Sequence, residues 1–200
     1  MKGPAGRPRV WQRMLSGRRL DLADPSPLDV EIEDIAHGLA RVARWNGQTH
    51  GDHAFSVAQH SVLVEAIAGR MTPSLGAGER LAVLLHDAPE YVIGDMISPF
   101  KAVVGGEYKA VESRLLAAIH IRFGLPAERR PGLVDAIKAA DRVAAFFEAT
   151  ELAGFADAEA AQFFGRPRGI LAADLALGPW PTARAERQFL ERFAALHPGI

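Results

Sequence analysis

Seven histidines and 24 carboxylate side chains, with no cysteine, decide which chemistry this 200-residue chain can carry. Disulfides, thiolate metal sites and a cysteine nucleophile are excluded, so imidazole and carboxylate are the ligands a metal ion could find. The densest group of such residues is His86, Asp87 and Glu90, set in a strongly apolar stretch with Leu81, Val83, Leu84 and Leu85. On a helix, adjacent residues point about 100° apart, so His86 and Asp87 aim into one cleft and Glu90 lies one turn on. Polar groups in so apolar a helix are costly unless paired, hydrogen-bonded or bound to a metal. Taken alone, the His86-Asp87 dipeptide is more often a buried histidine satisfied by a carboxylate than a pair of ligands.

His60 and Asp141 shift that balance. His60 falls in an inward-facing stripe with Val57, Val64 and Ile67, and Asp141 stands between Ala140 and Val143, so each is an awkward core residue without a partner. If the four converge, two imidazoles and two carboxylates suit one divalent ion, Mn, Co, Fe, Ni, Zn or Mg, with positions left for water and a phosphate oxygen. Ligand type alone does not choose among these metals.

The elements that must position these residues read as helices. Ile35, Leu39, Val42 and Ala43 share a face from residue 33 until Asn46-Gly47 supplies a turn. After a polar loop at 47–53, Ser56 can cap the helix that carries His60. Further helices are expected over 79–92, 107–123, 133–152 and 182–196, with 94–101 and 165–181 as loops. Pro25, Ser26 and Pro27 separate segments 20–22 and 29–32, which could form a small hairpin or an extended loop. The expected fold is an all-α globular bundle in one domain over 1–200, with a short β-hairpin near the N-terminus and residues 1–10 a flexible basic arm.

Gln59-His60-Ser61, His86-Asp87-Ala88-Pro89-Glu90 with Gly94-Asp95, and Ala140-Asp141-Arg142 resemble the ordered H…HD…D signature of the HD-domain phosphohydrolase superfamily. The resemblance covers roughly residues 33 to 152. Within the superfamily the chain looks most like the small bacterial 5′-deoxynucleotidases and the phage dATP triphosphohydrolases. Arg44-Trp45 is similar to the pair with which the former hold phosphate and sense the sugar. Asp34-Ile35-Ala36-His37, Asn46-Gly47 and the run from Ser56 to Ser61 resemble the phage-type branch, and Ser98-Pro99-Phe100-Lys101 resembles a Pro-x-Lys loop. Gln59 departs from the pattern, standing where a Glu often precedes the first ligand; the expectation is one charge fewer beside the metal.

The resemblance implies metal ligands His60, His86, Asp87 and Asp141, proton handling by Glu90 and Asp95, and substrate contacts from Arg44, Trp45 and Lys101. Arg44 offers a planar fork for two phosphate oxygens and Lys101 a point charge, although a helix-terminal Arg commonly just complements the dipole and a loop Lys is commonly solvated. Trp45 could stack on a sugar or base, or simply pack. No firm role falls to His37, His50 or His53. The implied activity is removal of phosphate from deoxynucleoside monophosphates. The alternatives are release of triphosphate from deoxynucleoside triphosphates and, in another class, a nucleotide-binding regulatory module without turnover. Lys+Arg 23 against Asp+Glu 24 leaves no global field for a nucleic-acid polymer or an anionic membrane, and the partner that the resemblance implies is a small nucleotide. A cytoplasmic homo-oligomer is the remaining expectation. No HExxH and no GxxxxGK occurs, against a metalloprotease and a P-loop enzyme.

Overall fold

The computed structural model describes residues 10–97 and 106–197, with residues 106 and 107 described in their backbone only. Lys101, the Ser98-Pro99-Phe100 segment before it and nearly all of the expected basic arm lie outside the described residues. Within them run eight α-helices: α1 (Ile32–Leu39), α2 (Val57–Met71), α3 (Ala77–Leu84), α4 (Glu90–Ile93), α5 (Gly106–Arg122), α6 (Pro131–Glu151), α7 (Asp157–Phe164) and α8 (Thr182–Leu196). The fold is all-α apart from one antiparallel hairpin, β1 (Trp11–Arg13) with β2 (Arg19–Asp21).

The hairpin sits earlier than the prolines suggested. Trp11 pairs with Asp21 and Arg13 with Arg19, and Gly17 takes the positive φ the turn requires. Segment 27–29 winds instead into a short 3-10 turn, because Ser26 caps Leu28 and Pro27 cannot donate to a strand partner. Leu20 is fully buried, and Ser16 donates from both its amide and its hydroxyl to the Asp34 carboxylate, which ties the hairpin to the start of α1.

Helix α2 is the axis of the molecule. It packs against α6, α3, α8 and α1. Ser56 caps it by accepting from the Gln59 amide, as its sequence predicts. Val57 and Ala58 join Leu39, Phe189 and Phe193 in one half of the core, while Val64 and Ile67 join Phe55, Phe146 and Phe147 in the other. Each fully buried side chain of this size contributes about 1.5–3 kcal/mol, so a polar residue on α2 is tolerated only where a partner awaits it. Gly38 lets α1 close on α4: a Cβ there would lie 2.8 Å from both Cβ and the carbonyl oxygen of Tyr91.

Two expected helices are broken, and both breaks serve the site. The helix expected over 79–92 stops at Leu84 and resumes at Glu90. Pro89 has no amide to give the Leu85 carbonyl, and its ring would clash with it. The chain tightens to bonds three residues apart, Ala88 N to Leu85 O at 3.0 Å and Glu90 N to Asp87 O at 3.0 Å. His86 and Asp87 therefore lie between helices and not within one. The first helix likewise ends at Leu39, so Arg44 and Trp45 are not at its terminus. Ala43 is extended and forms an antiparallel bridge with Ser56 just before α2, flanked by bonds from Arg44 N to Phe55 O at 2.8 Å and from Val57 N to Val42 O at 3.0 Å, and Arg44 then opens a 3-10 turn over Arg44–Gly47. Helix α7, unforeseen from the sequence, packs on α6.

Candidate metal centre

Four elements meet at one cluster: α2 supplies His60, the tight segment before α4 supplies His86 and Asp87, α6 supplies Asp141, and α4 begins at Glu90. One ring nitrogen each of His60 and His86 and a carboxylate oxygen of Asp141 lie within 4.8 Å of one another. Asp87 Oδ2 is 3.4 Å from His60 Nε2 and 3.1 Å from His86 Nε2, and Asp141 Oδ1 is 3.3 Å from His60 Nε2. Donors about 2.1 Å from a shared divalent ion stand about 3 Å apart in an octahedral shell, so the set has the spacing a small ion needs.

The two imidazoles are oriented alike. His60 Nδ1 donates to Glu148 Oε1 at 2.5 Å, and His86 Nδ1 donates to the Val83 carbonyl at 2.9 Å. Both Nε2 atoms are buried and make no hydrogen bond among the described residues. An outer bond on one ring nitrogen, with the other left bare toward a carboxylate cluster, is how a metal-binding histidine is held. The residues fit a divalent ion.

Electrostatics agree. Burial and the nearby Arg44 charge oppose protonation of His60, yet Glu148, Asp141 and Asp87 outweigh them and raise its pKa well above 6.5. Metal-free, the cluster holds a proton where it would otherwise hold a cation. Burial pushes Asp87 and Asp141 upward, but the two imidazoles hold both below the usual carboxylate range, so both stay ionised.

Glu148 escaped the sequence reading and is the most connected residue of the site. It is fully buried on α6, and beyond its bond to His60 its other oxygen accepts from Trp45 Nε1 at 2.9 Å and from Arg44 Nε and Nη2 at 3.3 Å each. Burial raises its pKa, but Arg44 and His60 overcome this and hold it at about 2. A signal existed: Glu148 interrupts an apolar run seven residues after Asp141, two helical turns along the same face.

Arg44 also reaches Asp95, Nη1 to Oδ2 at 3.3 Å, so it bridges two carboxylates at the edge of the centre. Trp45 and Asn46 follow it in left-handed backbone, φ 57° and 50°. An indole residue there carries strain of about 1–3 kcal/mol. The bond to Glu148 and ring contacts with Phe155 at 5.7 Å and Phe164 at 6.0 Å hold it in place. Gln59, expected to alter the charge beside the metal, instead faces away. Its amide donates to the Ala176 and Gly178 carbonyls and accepts from the Trp180 amide, pinning the loop before α8.

A cavity of about 630 Å³ opens over the cluster, lined by Arg44, Asp87, Glu90, Asp95 and Asp141 as well as by Trp45 and three phenylalanines. His37, His50 and His53 do not line it; His37 stands 3.6 Å from Glu186 on α8. Among the described residues no helix is long and apolar enough to cross a membrane.

No family model matches the chain. A protein of Rhodobacter capsulatus described as uncharacterized is 60% identical over 179 residues, which covers 88% of this chain and 91% of that one. Identity of that depth across nearly the whole of both chains leaves one conclusion: this chain belongs to the same family as the Rhodobacter capsulatus protein.

Proposed function

We propose that the protein is a metal-dependent phosphohydrolase of the HD-domain type, acting on deoxynucleotides and removing phosphate from deoxynucleoside monophosphates. One observation carries the reading. Two histidines, each held by its Nδ1, turn buried, bare Nε2 atoms toward Asp87 and Asp141 at the floor of a cavity that Arg44, Glu90 and Asp95 also line. The ordered motif on which the resemblance rests is thereby a spatial group.

His60, His86, Asp87 and Asp141 would hold the ion, which when bound supplies positive charge to a phosphate oxygen and lowers the pKa of a water. The remaining roles belong to the chain. Arg44 presents its guanidinium to the cavity and orients the phosphate by a forked pair of bonds. Glu90, 2% exposed at the first turn of α4, takes the proton of the attacking water. Asp95 holds Arg44 in place and is the second carboxylate through which the proton taken up by Glu90 passes to the departing sugar oxygen. Glu148 keeps the Nδ1 proton on His60, so that Nε2 remains a donor to the ion.

Arg142 favours the triphosphate reaction as the second reading. It is exposed beside Asp141, lines the cavity, and pairs with no carboxylate among the described residues, so it could take further phosphates. Purified protein loaded with Mn or Co and given deoxynucleoside mono- and triphosphates distinguishes the two by product, phosphate or triphosphate. Metal-loaded protein that binds nucleotide tightly but releases neither product would refute the enzyme reading in favour of a regulatory module.

A further inference from the structure

Among the described residues that line the cavity, the charged ones are gathered around the candidate metal centre, Arg142 excepted, and the rest are apolar. No Asn, Gln, Ser, Thr, Tyr or His is found among the described residues that line it. Those are the side chains that read the hydrogen-bonding edge of a heterocycle. What the cavity offers instead is a connected aromatic wall. Trp45 touches Phe155 and Phe164, Phe155 lies 6.4 Å from Phe163, and Phe163 lies 6.2 Å from Phe164.

Within that wall Phe163 differs from its neighbours. Trp45, Phe155 and Phe164 are half-buried, whereas Phe163 is 66% exposed and lines the cavity. It sits in the last turn of α7, just before Gly165 ends the helix at φ 75°, and α7 packs on α6, which carries Asp141. The ring is thus held by the same helix pair that holds a metal ligand, with a face still open. An apolar ring left open to water beside a polar centre is a place for a flat apolar partner.

We propose that Phe163 is the specificity-determining residue for the organic half of the substrate: it stacks on a planar ring carried by the phosphate ester and leaves the edge of that ring unread. The inference rests on the phosphohydrolase reading and goes further, because it names what is recognised. A ring is required, its pattern of donors and acceptors is not, and the selecting residue comes from α7 and not from the metal-binding segments. Stacking on one aromatic side chain gives a preference of about 5- to 100-fold.

The test uses full-length, metal-loaded protein with the four common deoxynucleoside monophosphates and, as the ringless ester, deoxyribose 5-phosphate. The four nucleotides are expected within about tenfold of one another in kcat/KM, and deoxyribose 5-phosphate about 5- to 100-fold below them. Phe163→Ala should raise KM for the nucleotides by that factor, leave kcat and the ringless ester unchanged, and be rescued by Phe163→Trp. In parallel, free nucleosides should quench tryptophan emission in the wild type and fail to do so in Phe163→Ala. Equal losses on ringed and ringless esters, no loss on either, or one base preferred more than a hundredfold would overturn the proposal. If no ester is hydrolysed but the Phe163-dependent quench persists, the phosphohydrolase reading falls and the ring site stands. If hydrolysis is normal and the quench ignores Phe163, the reverse holds.

Discussion

Glu148 and Glu65 are both buried carboxylates that face arginine, yet one belongs to a candidate site and the other to the scaffold. Glu65, 2% exposed on α2, takes a bidentate pair of bonds from Arg192 at 2.7 Å each and an ion pair from Arg80 at 2.6 Å, so it staples α2 to α8 and α3. Among the described residues its arginines pair with no other carboxylate. Glu148 takes His60, Arg44 and Trp45, and each of these leads on to the cluster of His86, Asp87 and Asp141 or to the cavity. A buried charge by itself therefore says little about function. The direction in which its partners point says more.

The strongest break in the comparison comes from the proposed ligand that Glu148 holds. His60→Ala is expected to abolish metal content by elemental analysis and to lower kcat/KM by at least about 10³. Retention of a full equivalent of metal would mean that His60 is scaffold, like Glu65.

Paired substitutions sharpen the contrast next. Glu148→Gln should weaken metal affinity by about 10- to 100-fold, since it disturbs the outer bond that orients a ligand. Glu65→Gln should cost about 1–3 kcal/mol in denaturant unfolding and leave metal affinity and kcat/KM alone. Were the two variants to behave alike, the distinction would collapse.

A smaller effect lies in the pH dependence of the metal-free protein. The folded pKa of Glu148, about 2, is below its ordinary 4.5, so its contribution is complete above about 4.5 and is lost as pH falls toward 2. His60 acts with the opposite sign: its folded pKa is raised, so its contribution is full below 6.5 and fades as pH climbs through the raised value. Unfolding curves taken across both windows should show the acid slope reduced in Glu148→Gln and the alkaline slope reduced in His60→Ala. Parallel curves in wild type and variants would contradict the assigned interactions.

The smallest effect concerns Gln59, which departs from the HD-domain pattern that the sequence resembles. Gln59→Ala should lower the thermal midpoint by a few degrees, through three lost hydrogen bonds partly offset by relaxation of the loop before α8. It should leave metal binding unchanged. Weaker metal binding would restore the idea that position 59 tunes the centre.

Much of this organisation was legible in the residues. Ser56 announced the start of α2, the apolar spacing over 182–196 coincides with α8, and the four proposed ligands, out of place in apolar stretches, do come together. Helix periodicity and burial cost are local, so they can be read from a window of a dozen residues. Glu148, the left-handed turn at Trp45, the break before Pro89 and the aromatic wall of α7 were decided by the tertiary structure. Each depends on what a distant segment places opposite. Glu148 lies 88 residues from His60 and 104 from Arg44, and only the packing of α6 on α2 turns an unremarkable helical Glu into the carboxylate that both depend on.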